Sequence, residues 1–368
     1  MSILRSTKAI ARNSLIAGIV AIVLIAAVAG GYLYSQQPTP TGPAATTSAA
    51  AATTSAAAPK NLMVYTALAE FETARILAGF TQDTGIQAKF LRLSAGEMAA
   101  RIIAEAASPK GDVFFGGPAI SHMVVKAAGQ LVPYKSPSAA GIPAMAKDPD
   151  GYWTGFYIGG VAFAINTDIL KKMNLTEPKS WADLLKPAYK GQIVSSNPAT
   201  SGTAMNIMAG WLSPDLFGEP KTWDYVKQLN VNVHHYERAG AVPAQRVGSG
   251  EFLIGIAMGH DINKIVAAGY PVDIIYPSEG TGWEVGGLSI IKGGPNPDSA
   301  KAFVDWMLGP KGGQIHTDIS LRVSVRSDVM LPPGATPIDK IKLVREDFQW
   351  MANNTDRIVK TWQQITGQ

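Results

Sequence analysis

The chain has 368 residues, no cysteine and a formal charge of +4. The lack of cysteine excludes disulfides, thiolate metal sites, a cysteine nucleophile and a lipid-modified N-terminal cysteine. Of the basic residues, Arg5, Lys8 and Arg12 lie near the N-terminus; from Lys60 onward 29 basic residues face 28 acidic ones with no basic run, which argues against a nucleic-acid-binding face.

Residues 1–14 carry those three cations, and no charge follows until Lys60. Residues 15–34 form an uncharged apolar run of 20 residues. At about 1.5 Å per residue this is long enough to cross a hydrocarbon core of about 30 Å. Positive charge on one side only places residues 1–14 in the cytoplasm and everything after Tyr34 outside. Residues 35–60 are almost wholly Ala, Thr, Ser, Pro, Gly and Gln. Such a tract cannot bury a core and reads as a disordered stalk. The expected location is the outer face of the cell membrane, with a transmembrane helix as anchor. Ala27-Val28-Ala29 also fits a small-residue cleavage site, and cleavage after Ala29 would make the apolar run a signal peptide and release the body.

Residues 61–66 (NLMVYT) read as a strand and 70–81 as a helix, with Phe71, Ile76, Leu77 and Phe80 at helical spacing. Residues 87–93 follow as a strand and 96–107 as a helix. Residues 112–115 (DVFF) form a short buried strand stopped by Gly116-Gly117-Pro118, and 120–128 a third helix with His122 on its surface. Strands joined by helices imply a parallel sheet with right-handed crossovers. Ligands bind such sheets at the carboxyl ends of the strands. The loops there hold Thr66, Ser94, Gly96 and Gly117, small or hydroxylated residues that let backbone amides approach a ligand.

The pattern then repeats. Residues 157–166 (YIGGVAFAIN) read as a long apolar strand, 181–185 as a short helix and 192–195 as a strand. The loop 197–203 leads into a helix through Trp211. Further strands are expected at 231–236, 252–257, 273–276 and 287–292, then a helix at 299–308. A long strand leaving and another returning form a double-strand hinge. The class is α/β, with one lobe built from 61–160 and 287–368 and the other from 161–286. The segment 338–365 reads as helical and packs on the first lobe.

Three stretches carry a family resemblance: VYTALAEFETARILAGFTQDTGI, LRLSAGEMAARIIAEAASPKGDVFFGGPA and PKSWADLLKPAYKGQIVSSNPATSGTA. VGSGEFLIGIAMGHDINKI and YPSEGTGWEVGGLSIIKGGPNPDSAKAFVDWML extend it over nearly all of residues 61–310. Together they resemble the ferric-binding-protein-like branch of the solute-binding proteins of ABC transporters. The resemblance implies a type II periplasmic-binding-protein fold, with two Rossmann-like lobes closing on a small solute. It also implies partners: a membrane permease and its ATPase. No enzymatic activity and no cofactor are expected, the charge distribution gives no nucleic-acid partner, and a monomer is expected.

Iron-binding members use adjacent tyrosines, because phenolate oxygen suits Fe(III). At the corresponding place this chain has Met258-Gly259-His260-Asp261, so no metal is expected. His260-Asp261, followed by Glu284, is instead similar to the hexose-phosphate-binding members. There, charge-assisted hydrogen bonds from carboxylates hold sugar hydroxyls. Trp283 would cover a sugar face. The phosphate would meet Thr200, Ser201, Gly202 and Thr203 at one helix start and Ser94 and Gly96 at another, where free amides and the helix dipole attract anions. Tyr236 or Arg238 would reach the cleft, because the 239–241 loop that follows sits where the family's ligand loops lie.

Each residue also has a local role open to it. Asp261 fits an N-cap of a helix beginning at Ile262, Thr200 and Ser201 fit caps, Trp283 fits a core, and Glu284 fits a surface ion pair. Ferric iron and a phosphonate or other oxyanion stay open as alternative ligands. A cell-surface hydrolase using His260, Asp261 and Glu284 as an acid–base set is a more distant alternative, since no GxSxG, P-loop or HExxH motif accompanies them.

Overall fold

The computed structural model describes residues 60–368. The expected anchor and nearly all of the expected stalk lie outside that range. None of the described helices is long and apolar enough to cross a membrane.

The chain runs β1 (Asn61–Thr66), α1 (Glu70–Thr84), β2 (Gln87–Arg92), α2 (Ala95–Ala104), β3 (Val113–Pro118) and α3 (Ala119–Ala127). β1 pairs in parallel with both β2 and β3. Alternation along β1 sends Leu62 and Val64 to one face, against Ile76, Leu77 and Phe80 of α1. Tyr65 goes to the other face, against Met98 and Ile102 of α2. A strand with period two, covered by a helix on each side, is what its apolar pattern requires. α1 stops at Gly85, whose φ of 74° is the left-handed cap that favours glycine.

β4 (Leu131–Val132) and β5 (Thr154–Asn166) follow, then α4 (Thr167–Lys172), β6 (Ile193–Ser196), α5 (Gly202–Leu212), α6 (Gly218–Asn230), β7 (Val233–Glu237) and α7 (Val242–Gly248). After them come β8 (Ile254–Met258), α8 (Gly259–Ala267), β9 (Val272–Ile275), β10 (Trp283–Ile291), α9 (Pro297–Leu308), α10 (Pro310–Ser320), β11 (Val323–Ser324) and α11 (Phe348–Thr366). The strand order is β2-β1-β3-β10-β5-β8-β6-β7. The first part of β5 pairs antiparallel with β10, and its second part pairs antiparallel with β8 and β9. β5 thus leaves one half of the molecule and enters the other, and β10 returns beside it. Each half has its own core. Phe80, Phe115 and Phe303 anchor the first, and Phe163, Trp181 and Trp211 the second.

The expected elements are present with boundary shifts of one to four residues, except near the C-terminus. Residues 338–365 do not form one helix. Ile338–Lys340 is a 3₁₀ turn, and the backbone of Lys342 and Val344 pairs with Thr281. Only then does α11 begin. Nor does this segment pack on one half alone, because α11 lies against both α3 and α6. Four helices, α4, α6, α7 and α10, were not expected. α10 holds two glycines, yet Gly312 and Gly313 are buried. A Cβ at Gly312 would come within 2.3 Å of the Trp306 carbonyl oxygen. Close packing on α9 thereby overrides low helix propensity. His122 is not on the surface. It is fully buried and stacked on Phe114 at 4.0 Å between ring centroids. Its Nδ1 lies 2.6 Å from Ser289 Oγ, and burial pushes its pKa down to about 3.

Phe303 meets Phe80 and Phe115 edge-on, at 5.1 and 5.2 Å between centroids, with no exposure. Phe303→Ala should cost about 3–5 kcal/mol in urea unfolding. A loss below about 1 kcal/mol would mean that this aromatic cluster does not anchor the first half.

Candidate ligand-binding site

A cavity of about 690 Å³ lies between the halves. Loops leaving the strand ends surround it: Ala67 after β1, Ser94 after β2, Gly117 in β3, Ser201–Thr203 after β6, and Ala239–Val242 after β7. His260 and Asp261 enter from the first turn of α8, after β8. Tyr157 of β5, Glu284 of β10 and Arg322, just after α10, complete the lining. Strand carboxyl ends converge here from both halves, which is where open α/β sheets place ligands.

Of the residues singled out in the sequence, Ser94, Gly117, Ser201, Gly202, Thr203, His260, Asp261 and Glu284 line this cavity. Local capping and cavity lining coexist. Ser94 forms a capping box with Glu97, and Ser201 Oγ accepts a bond from Ala204 N at 3.3 Å. Gly117 has φ 81°, and a Cβ there would sit 2.8 Å from Ala95 Cβ, so the position calls for glycine.

Five expected site residues are elsewhere. Thr66 Oγ1 accepts from Leu68 N at 3.1 Å and closes the turn into α1. Gly96 and Thr200 meet each other: Gly96 N donates to Thr200 O at 3.2 Å, joining the halves at the rim. Tyr236 donates to Asn230 Oδ1 at 2.9 Å and lies edge-on to Trp362, so it packs under α11. Trp283 donates its indole N–H to Val344 O at 2.9 Å and packs on Phe348, tying down the C-terminal segment. Asp261 is not an N-cap. The helix starts at Gly259 with Met258 at the cap, and Asp261 sits in the first turn.

Cations and carboxylates interleave at the base of the cavity. Lys264 Nζ lies 2.8 Å from Asp261 Oδ1 and 2.5 Å from Glu72 Oε1. Arg322 Nη1 donates to Glu72 Oε2 at 2.7 Å. Burial pushes the Asp261 carboxyl up, but the charges of Lys264 and then Arg322 outweigh it and hold it well below the usual range. Burial, helped by Arg322, keeps His260 neutral. Its Nε2 stands 3.7 Å from Asp261 and 3.8 Å from Glu284, beyond hydrogen-bond reach. Glu284 accepts from Asn206 Nδ2 at 2.9 Å. Its carboxyl is pushed up to about 7, chiefly by burial, with Arg322 opposing and Asp261 adding. The base therefore offers one firm carboxylate, one neutral imidazole and one carboxyl poised to accept or donate.

Sequence reasoning missed Arg92, Tyr157, Lys264 and Arg322. Lys264 was discoverable from its i,i+3 spacing to Asp261 on one helix. Arg92 sits two residues before Ser94, lines the cavity, donates its Nε to Leu68 O at 3.4 Å and forms no ion pair among the described residues. No local signal marks Tyr157 or Arg322. His235 pairs with Glu237 at 2.7 Å, and neither lines the cavity.

A family model described as bacterial extracellular solute-binding protein matches residues 106–347. An uncharacterised protein of Haemophilus influenzae is 31% identical over 312 residues, 82% of this chain and 90% of that relative. The Fe(3+)-binding periplasmic protein of Serratia marcescens is 24% identical over 82% of this chain and 89% of its own length. Among solved structures, the periplasmic binding protein AfuA of Actinobacillus pleuropneumoniae, with exogenous fructose-6-phosphate bound, superimposes with a TM-score of 0.81 at 31% identity, covering 84% of this chain and 99% of that one. These likenesses accompany a mixed α/β type II periplasmic-binding fold.

The groups facing Glu284 are Tyr157, Asn206, His260, Asp261, Arg322 and the Glu346 carboxyl. Its pKa rises from the usual 4.5 to about 7 on folding, so the folded protein holds a proton that the unfolded chain releases. Relative to Glu284→Gln, wild-type stability should fall as pH rises from 4.5 to 7 and then level off. The fall should be on the order of 1–3 kcal/mol in urea unfolding. A difference independent of pH would show that Glu284 ionises normally.

Proposed function

This chain belongs to the bacterial extracellular solute-binding proteins, and from that premise we propose that it captures a hexose phosphate and delivers it to the permease and ATPase of an ABC importer. The observation that carries this reading is a single cavity with two chemically distinct ends. At one end Asp261, Glu284 and His260 present acceptors suited to vicinal hydroxyls, and charge-assisted bonds to hydroxyls are the stronger kind. At the other end the starts of α2 and α5, with Ser94, Ser201 and Thr203, present backbone and hydroxyl donors. Arg92 adds a cation with no carboxylate partner among the described residues. The likeness to a fructose-6-phosphate-bound protein supports the same ligand class.

The alternatives fit less well. Tyr157 is the sole phenol lining the cavity among the described residues. Burial and the nearby Glu284 carboxyl push its pKa well up, which keeps it from serving as a phenolate for Fe(III). A phosphonate or other small oxyanion would use the helix starts and leave the acidic end without a partner. Hydrolysis by the His260, Asp261 and Glu284 set is disfavoured, because the matching family and the fructose-6-phosphate-bound relative are described as binding proteins.

In this reading residues 61–160 with 287–368, and residues 161–286, are two lobes that close on the solute. Residues 15–34 hold the body at the outer face of the membrane as an anchor, or direct its export if cleaved after Ala29, and residues 35–60 act as a spacer. The body works as a monomer. Ligand contacts from both lobes stabilise the closed form, which is what the permease reads.

Calorimetry tests the ligand class. Fructose-6-phosphate should bind stoichiometrically and unchanged. Asp261→Ala should weaken it about 10- to 100-fold by leaving hydroxyls unpaired. Ser201→Ala should weaken inorganic phosphate and the sugar phosphate alike. Full affinity in Asp261→Ala, or product accumulation, would sink the reading. Native mass spectrometry of residues 60–368 as purified should show a co-purifying mass of a hexose phosphate.

A further inference from the structure

Glu72 has no exposed surface, and it does not line the cavity. It lies in the first turn of α1, in the first half of the molecule. Arg322 belongs to the same half, where α10 packs on α1 and β11 pairs with the first part of β5. Lys264 and Asp261 stand one turn apart on α8, in the second half. Within the first half, Glu72 and Arg322 form a pair at 2.7 Å. Within the second, Asp261 and Lys264 form a pair at 2.8 Å. Across the cleft, Lys264 reaches Glu72 at 2.5 Å, and Arg322 approaches Asp261 at 3.7 Å. The four groups make a ring in which the sign alternates: Glu72, Lys264, Asp261, Arg322.

A ring of this kind has a specific consequence. Each half brings a pair that is already neutral, so docking the halves removes water from two dipoles rather than from bare ions, a far smaller penalty. Both new edges are attractive, and both are sheltered from solvent and salt. The rim contact of Glu97 with Arg238 is different, because Arg238 has 79% of its side chain exposed, and exposed pairs contribute little.

We propose that Glu72 is the positioning residue of closure: it ties Lys264 of the second half to Arg322 of the first and so sets Asp261 toward the ligand before any ligand arrives. The proposal rests on the reading of the cavity as a ligand cleft between moving lobes, but not on which ligand it takes. Apparent affinity scales with the fraction of closed, competent protein. Loss of the tie therefore weakens every ligand by one common factor, whereas loss of a contact residue weakens only the ligands that use that contact.

The test uses the ligand-free protein. The chain has no cysteine, so Lys110→Cys and Lys227→Cys, one exposed site in each half, take a donor and an acceptor dye for single-molecule energy transfer. The parent protein should show a measurable short-distance state beside a longer one, the two interconverting without ligand. Glu72→Gln should lower the closed-to-open ratio at least about tenfold while far-UV circular dichroism stays unchanged. Lys264→Met removes the tie from the opposite half, leaves the Glu72–Arg322 pair intact, and should produce the same opening. It decides the matter if Glu72→Gln does not fold. A parent with no short-distance state, or a wild-type distribution in the variants, overturns the proposal. Because no ligand is present, failure of the sugar-phosphate reading appears only in the calorimetry and leaves this outcome intact.

Discussion

One strand holds the molecule together. β5 runs for 13 residues, with β10 beside its first part and β8 and β9 beside its second. Its backbone groups must be paired along their whole length, since unpaired groups in a buried strand cost too much to persist. That requirement obliges two sheets to share an edge and leaves a gap where their carboxyl ends face each other. The cavity lies in that gap. The segment around Thr281 and Val344 and the helix α11 brace the far side of the crossing. Relative movement of the halves must therefore pass through β5, β10 and this brace.

The gap would be costly to line with charge if the charges were isolated. Glu72, Asp261, Lys264 and Arg322 avoid that cost by mutual pairing, and their arrangement leaves Asp261 ionised although it is buried. Glu284, bonded to the Asn206 amide and set among groups of mixed sign with no cation among the described residues as near as Lys264 is to Asp261, cannot hold its charge as firmly. Two carboxyls a few residues from the same ligand space thus have opposite tendencies, decided by partners rather than by residue type. An ionised acceptor beside a protonatable one suits a ligand that carries both hydroxyls and negative charge.

Much of the architecture was legible in the sequence. Strand and helix alternate with periods of two and 3.6, and those periods depend on neighbours a few residues away. β1, α1, β2, α2, β3 and β5 were read from such patterns, and so was the crossing and return of the chain. α6 and α10 were not. Their polar or glycine-bearing segments become helical because Tyr225, Val226 and Leu229, or Gly312 and Gly313, have somewhere to pack. His122 was misread for a related reason, because nothing in α3 alone reveals that β10 lies over it.

The sequence by itself determined the order of the main strands and of most of the helices between them, several loops that reach the cleft, and the Gly-His-Asp and Glu pattern that resembles a known family. These follow from local spacing and from residue types. Only the tertiary structure decided which side chains meet. Glu72 lies 192 residues from Lys264 and 250 from Arg322, and no periodicity spans such separations. It also turned Tyr236 and Trp283 away from the cavity, since each found a hydrogen-bond partner and an aromatic neighbour on the side where the C-terminal segment packs. A side chain's face is set by where its packing partners lie, and those partners come from parts of the chain brought near only by folding.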